Sequence, residues 1–376
     1  MTTTAPTPIT PAATEFPLAF QLTPSTDARA VLEREAILAD PGFGKHFTDH
    51  MVQIEWTLDK GWHNAEVLPY GKISLDPAAS VFHYAQEIFE GLKAYRHADG
   101  AIYTFRPEMN AARLQRSAVR LALPELSTVD FIESLKQLIA VDGSWVPDAA
   151  ETSLYLRPFE MATESFLGVR AAQKVGFYVI ASPAGAYFSG GVSPVNIWLS
   201  TEFNRAGRGG MGAAKTGGNY ASSLLPQELA YTKGCAQVLF LDAQEGKYLE
   251  ELGGMNLFLV YKDGTLVTPE SDSILAGITR DSIMQLARDR GHDVELRKVS
   301  IEEWKAGSAS GDIVEVFACG TAAVITPVAQ LRAEDFTLGE ADAPAGELTM
   351  SLRQELTDIQ YGRLPDRHGW LTRLDA

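Results

Sequence analysis

With 376 residues, 45% of them hydrophobic, the chain is long enough for about two domains, each with its own core. Its 32 basic against 48 acidic residues leave a formal charge of -16, which repels phosphate backbones and anionic lipid and argues against nucleic acid and membrane as partners, while a small anion at a locally positive site stays compatible. Two cysteines, Cys235 and Cys319, form no CxxC pair, so a disulfide framework or a cysteine-rich metal centre is not expected.

The opening "MTTTAPTPITPAATEF" has neither the basic start nor the apolar run of a signal peptide, and no apolar run approaches a membrane span. Residues 1–15 are therefore expected to be a flexible tail on a cytoplasmic protein. "MVQIEWTLDKGW" and "ISLDPAASVFHY" read as strands with turns between them. "PEMNAARLQRSAVRLALP" opens a helix at Pro107, and "VDFIESLKQLIAVDG" is a second helix closed by Gly143. "TSLYLRPFE" and "KVGFYVIASP" alternate like sheet strands. These elements define a smaller α/β domain over residues 16–185. Proline, glycine and serine concentrated in "PAGAYFSGGVSP", 183–194, mark the interdomain connection, drawn at 186–195.

A larger domain is expected over 196–376. It starts with the strand "VNIWLS", passes through a glycine-rich loop into the helix "YASSLLPQELAYTKG", and continues with short strands "QVLFLD", "KYLEEL" and "MNLFLVY". Asp263-Gly264 between apolar residues signals a hairpin. The helix "TRDSIMQLARDRG" then ends at Gly291. Strands grouped into hairpins and followed by helices give a two-domain α+β architecture rather than strict βαβ alternation.

The loop "GRGGMGAAKTGGNYASS", 207–223, sets one lysine among small residues, and three chemistries compete for it. A P-loop fits Gly209, Lys215 and Thr216, but Ala214 stands where that motif needs glycine. Gly207, Gly209 and Gly212 satisfy a dinucleotide-binding pattern, yet "AAKTGGN" carries two further glycines where its helix should start, and Asp242 lies beyond the usual spacing. A lysine that bonds a carbonyl cofactor needs a nucleophilic amine, a backbone that admits a planar ligand, and surroundings that favour the neutral amine. The ordinary fate of a lysine is solvent. The loop alone leaves these readings open.

The motifs "HYAQEIFEGLKAY", "DGSWVPDAAETSLYLRP", "GAYFSGG", "KTGGNYASS", "EELGGMN", "GITRDS" and "FACGTAA", in this order from near residue 43 to near 360, carry a resemblance. The chain resembles the branched-chain amino-acid aminotransferases, pyridoxal 5'-phosphate enzymes of fold type IV, in the longer subgroup found in animals and some bacteria. The resemblance implies a two-domain, D-amino-acid aminotransferase-like fold with mixed sheets and a barrel-like large domain. It implies that Lys215 holds pyridoxal phosphate as an internal aldimine and, once freed, moves protons as general acid and base. Glu251 would sit beside the pyridine nitrogen and keep it protonated, and Tyr220 would bond the phenolic oxygen. Arg113, the helix start at Ile278 and Thr279, and Thr321 would hold the phosphate.

For the substrate, Tyr155 and Arg157 alternate along one strand and share a face, the arginine helping to admit the side-chain carboxylate of glutamate. Phe43, Tyr84 and Phe89 match aromatic walls of a pocket for leucine, isoleucine and valine, and the backbone N–H groups of Thr321 and Ala322 would take the α-carboxylate. The implied reaction is a reversible ping-pong transamination between these amino acids and 2-oxoglutarate, in a homodimer. The chain departs from the family in two respects. Ala323 and Thr326 replace the CxxC of a thiol switch, and Gly254 replaces the threonine of animal members. His46 and His50 share helical spacing, but Phe47 stands where a metalloprotease motif needs glutamate, and no metal is expected.

Overall fold

The structure, a computed structural model, describes residues 17–185 and 191–376. The expected tail and residues 186–190 of the expected interdomain connection lie outside the described residues. In chain order the first part contains β1 (Gln21–Leu22), α1 (Val31–Ala39), β2 (His50–Thr57), β3 (Gly61–Pro69), α2 (Ser80–Tyr84), β4 (Glu87–Phe89), β5 (Leu92–Arg96), β6 (Ile102–Phe105), α3 (Pro107–Arg120), α4 (Thr128–Asp142), β7 (Ser153–Ala162) and β8 (Lys174–Ala184). The second part contains β9 (Val195–Ser200), α5 (Gly217–Thr232), β10 (Gln237–Leu241), β11 (Leu249–Leu252), β12 (Asn256–Tyr261), β13 (Leu266–Pro269), α6 (Ile278–Asp289), β14 (Val294–Arg297), α7 (Ile301–Ser310), β15 (Ile313–Gly320), β16 (Val324–Arg332), β17 (Thr337–Gly339) and α8 (Glu347–Gln360). The last strand, β18 (Leu371–Arg373), returns to pair antiparallel with β6 of the first part.

Among the described residues the strands form two nine-stranded sheets, the mixed α+β arrangement expected from the sequence. The first runs β1-β3-β2-β8-β7-β5-β6-β18, with β4 on β7, and the second β11-β10-β9-β16-β15-β12-β13-β14, with β17 on β16.

Period-two alternation decides which side chains reach which core. Along β7, Leu154 and Leu156 turn into the cluster that Leu114 and Ala118 of α3 and Phe131, Leu135 and Leu138 of α4 complete, so Tyr155 and Arg157 face the other way. β12 serves two cores: Leu257 and Leu259 pack with Trp304 of α7, while Phe258 and Val260 pack with α6 and α8. The expected helix start at Pro107 holds, and a serine cap opens α4. Pro107 occupies the first turn of α3, and Ser127 Oγ accepts the Asp130 N–H at the start of α4.

The strand expected from "ISLDPAASVFHY" does not form. Asp76 Oδ1 accepts the Ala78 N–H at 2.8 Å and its carbonyl accepts the Ala79 N–H at 2.8 Å. This turn at Asp76-Pro77 leads into the short α2, since proline cannot donate to a ladder and aspartate offers the backbone a local partner.

One core-facing position of β7 carries an acid. Glu160 of β7 is on the Leu154–Leu156 side, is wholly buried, and neither carboxylate oxygen has a partner among the described residues. Burial raises its pKa well above the ordinary 4.5, so the fold favours the protonated acid. With a raised folded pKa, the stability is complete below about pH 4.5 and falls as pH climbs toward the folded value. Glu160→Leu is expected to stabilise the protein at pH 8 by about 1–3 kcal/mol. The gain should shrink toward pH 5. Urea unfolding across that range checks it, and equal pH slopes for variant and wild type would exclude a buried neutral acid.

Candidate active site

A cavity of about 160 Å³ lies between the two sheets. The first part contributes Phe89 at the end of β4, Arg113 of α3, and Tyr155 and Arg157 of β7. The second contributes Lys215, Tyr220 of α5, Glu251 of β11, Ile278 and Thr279 at the start of α6, and Thr321 and Ala322 in the β15–β16 turn. Phe43 lines an adjoining hollow of about 250 Å³ together with Tyr155 and Arg157, its ring edge-on to Tyr155 at 5.2 Å. Tyr84 is not brought to this cavity. The Asp76 turn and α2 carry it to the surface, where its hydroxyl donates to the Leu167 carbonyl at 2.5 Å.

Lys215 is held by its backbone from the first part of the chain. Its N–H donates to Ser117 Oγ at 2.9 Å, and its carbonyl accepts the Phe89 N–H at 2.9 Å. Nζ donates to the Tyr220 hydroxyl at 2.6 Å and lies 4.7 Å from the Phe89 ring centroid. Burial first, then the Arg113 charge, pulls the amine down to about 8. Burial pushes Tyr220 up to about 12, so its phenol stays protonated.

The helix that follows the lysine begins at Gly217, and its N-terminus is already taken. Glu87 of β4 accepts from the Gly217 N–H and, at 3.4 Å, from the Thr216 hydroxyl. That carboxylate occupies the place where a P-loop or dinucleotide turn would put phosphate. The α6 N-terminus, by contrast, has Gly277 at its N-cap, no side-chain cap, and faces the cavity.

Glu251 is buried, accepting the Leu275 N–H at 2.8 Å and the Asn256 side-chain amide at 3.2 Å. Burial raises its pKa, and Arg205, 2.5 Å away, pulls against that. Arg113 forms a fork on Glu90, Nε at 2.7 Å and Nη2 at 2.8 Å, while Nη1 donates to the Ala276 carbonyl at 3.0 Å. Arg120, one helical turn beyond Arg116, reaches across to donate to the Gly209 and Gly210 carbonyls. Arg157 lies over Phe89 and Tyr155, and its buried Nε has no partner among the described residues. Glu87, Glu90, Ser117 and Arg205 have no signal in the sequence, because each acts through a partner far along the chain.

The residues present fit pyridoxal phosphate. A low-pKa amine, a buried carboxylate and an uncapped helix start converge on one cavity, the donor set of an enzyme that uses this cofactor. A family model described as amino-transferase class IV matches residues 87–331. The branched-chain-amino-acid aminotransferase of Mycolicibacterium smegmatis is 60% identical over 96% of this chain and 98% of its own. Branched-chain-amino-acid aminotransferase 2 of Bacillus subtilis is 47% identical over 89% and 92%. The solved branched-chain aminotransferase of Escherichia coli superposes with a TM-score of 0.72 at 29% identity, covering 87% of this chain and 99% of that one. That of Thermobaculum terrenum, solved in its PLP form, gives 0.69 at 26%, covering 85% and 98%. The chain belongs to the class IV aminotransferases, which depend on pyridoxal 5'-phosphate.

Two outcomes follow from this geometry. Glu90→Ala leaves Arg113 charged and buried without its partner, and urea unfolding should show a loss of about 3–5 kcal/mol. In cofactor-free protein, acetylation of Lys215 followed by mass spectrometry should reach half its limiting rate near pH 8, well below exposed lysines.

Proposed function

We propose that the chain catalyses reversible transamination of L-leucine, L-isoleucine and L-valine with 2-oxoglutarate, giving the branched-chain 2-oxo acids and L-glutamate by a ping-pong mechanism. One observation carries this reading: beside the Lys215 amine the same cavity offers aromatic surface from Phe89 and Tyr155 and an Arg157 Nε with no partner among the described residues. An apolar side chain suits the first and a carboxylate the second, so the two half-reactions use one pocket in turn.

Bound pyridoxal phosphate supplies the aldehyde that accepts the amino group and the ring that draws electron density from the substrate. Lys215 Nζ would hold it and would move a proton at the substrate α-carbon, a role favoured by an amine that is part neutral near pH 8. Glu251 provides the anion for the ring nitrogen and Tyr220 a hydroxyl donor for the ring oxygen. Arg113, Thr321 and the α6 start at Ile278 and Thr279 take the phosphate. The Thr321 and Ala322 N–H groups orient the substrate carboxylate, and Phe43 extends the aromatic wall.

A homodimer belongs to this proposal. Phe82, Tyr84, Leu167 and Val169 are exposed apolar residues around the Tyr84–Leu167 hydrogen bond, a patch that a second copy would bury. Free, buried Cys235 and Cys319 fit a cytoplasmic setting.

The purified protein with pyridoxal phosphate should show a visible band that shifts with L-leucine but not D-alanine, and borohydride should fix the cofactor on Lys215. Lys215→Ala should cut leucine turnover by about 10²- to 10⁴-fold or more. Intact turnover in that variant would sink the mechanism, and a substrate panel ranks the three amino acids.

A further inference from the structure

We propose that Arg205 is a positioning residue for this reaction: a single guanidinium that fixes the Glu251 carboxylate and, through the same nitrogen, staples the lysine loop to the loop that leads into α6. The inference rests on the proposed placement of Glu251 at the ring nitrogen.

Arg205 is 5% exposed. Its Nη2 lies 2.5 Å from Glu251 Oε1 and donates to the carbonyls of Gly212, at 2.8 Å, and Ser273, at 2.6 Å. Three segments thus meet on one cation: the stretch before Lys215, strand β11, and residues 270–277 before α6. In the proposed function each segment holds a different part of the cofactor, namely its aldehyde carbon, its ring nitrogen and its phosphate. Arg205 is itself anchored, since Ser222 Oγ of α5 donates to its carbonyl at 2.8 Å.

Gly212 makes the staple possible. A Cβ there would overlap the backbone of Ser273, so only glycine lets the two carbonyls come close enough to share a donor. The glycine is required by this approach rather than by a ligand.

The electrostatics point the same way. Around Glu251 stand Arg205, Arg280 of α6, Glu250 on its own strand, Tyr220 of α5 and Cys319 of β15. Arg205 is the largest influence opposing burial, ahead of the Leu275 N–H and Arg280. Glu250 turns to the other side of β11, where the hydroxyls of Ser271 and Ser273 donate to it. A buried carboxylate without its cation takes up a proton, and a neutral Glu251 gives the ring nitrogen no charge to pair with.

The test uses the full chain loaded with pyridoxal phosphate and compares Arg205→Gln, Arg205→Lys, Glu251→Gln and the Arg205→Gln/Glu251→Gln double variant. Read out are the pH titration of the visible band and the cofactor Kd. Arg205→Gln should move the titration in the same direction as Glu251→Gln, by about 1–3 pH units. It should also weaken cofactor binding by about tenfold or more, and the double variant should titrate like Glu251→Gln alone. Arg205→Lys keeps the charge but lacks the reach to three acceptors, so its titration should lie nearer wild type while binding stays weakened.

If Glu251→Gln moves the titration and Arg205→Gln does not, Arg205 acts only in the scaffold and the inference is overturned. If Arg205→Gln does not fold, Arg205→Lys decides: wild-type titration with wild-type Kd overturns it. If Glu251→Gln itself leaves the band unmoved, the placement of Glu251 fails and the inference falls with it.

Discussion

The cavity exists because donors from the first part of the chain satisfy backbone carbonyls at the loop ends of the second. Arg113 donates to the Ala276 carbonyl, Arg120 to those of Gly209 and Gly210, and Lys93 to that of Ala322 at 2.8 Å. Those carbonyls belong to the loop before α6, the lysine loop and the β15–β16 turn, the irregular segments that line the site. Irregular backbone carries polar groups with no ladder to join, and a buried carbonyl without a partner is costly. Removing the first part of the chain would leave these loops without the bonds that set their shape. The same contacts explain why the lysine backbone is gripped from the first part at both its N–H and its carbonyl.

This arrangement also sets the local charge. The chain as a whole carries -16, yet the seam gathers Lys93, Arg113, Arg157, Arg205 and Lys215. Glu90 neutralises Arg113, and Glu251 neutralises Arg205, so the excess that remains is small and specific. Burial brings Lys93 and Lys215 down to about 8 each, because two desolvated amines near fixed guanidinium groups shed protons more easily. Keeping part of the Lys215 amine uncharged thus requires no dedicated base beside it. The neighbouring cations that would recruit an anion also keep a fraction of the amine uncharged, and only that fraction can attack a carbonyl.

How far the sequence reveals this depends on how local each cause is. Helices α3 and α4 are legible because Pro107, Gly143 and the apolar period lie at their ends or within them. The hairpin at Gly264 is legible because a left-handed residue is needed there, and φ is +89°. The strand expected over 73–84 fails through a turn made by Asp76, where an apolar pattern is outweighed by a side chain that bonds its own backbone. Motif resemblance names eleven residues that line the cavity and a twelfth, Phe43, beside it, but it places Tyr84 there too, which the Asp76 turn and α2 carry to the surface instead. The partners Glu90, Arg120 and Arg205 are invisible for another reason. Each looks like an ordinary charged residue until a chain segment from 23 to 90 positions away supplies its counterpart.

The glycine-rich loop shows where that limit bites. Read along the chain, its glycines imitate two phosphate motifs, because both motifs are records of backbone that must approach something closely. Folding changes what is approached. Gly212 meets the Ser273 backbone, and the N–H of Gly217 meets the Glu87 carboxylate, so the groups that would have cradled phosphate are spent within the protein. An anion brought to this cavity must find its helix N-terminus at α6 instead, where Gly277 leaves the first turn uncapped. The division of labour between α5 and α6 therefore follows from which of two helix starts the first sheet supplies with an acid, a decision made by one residue at the edge of β4.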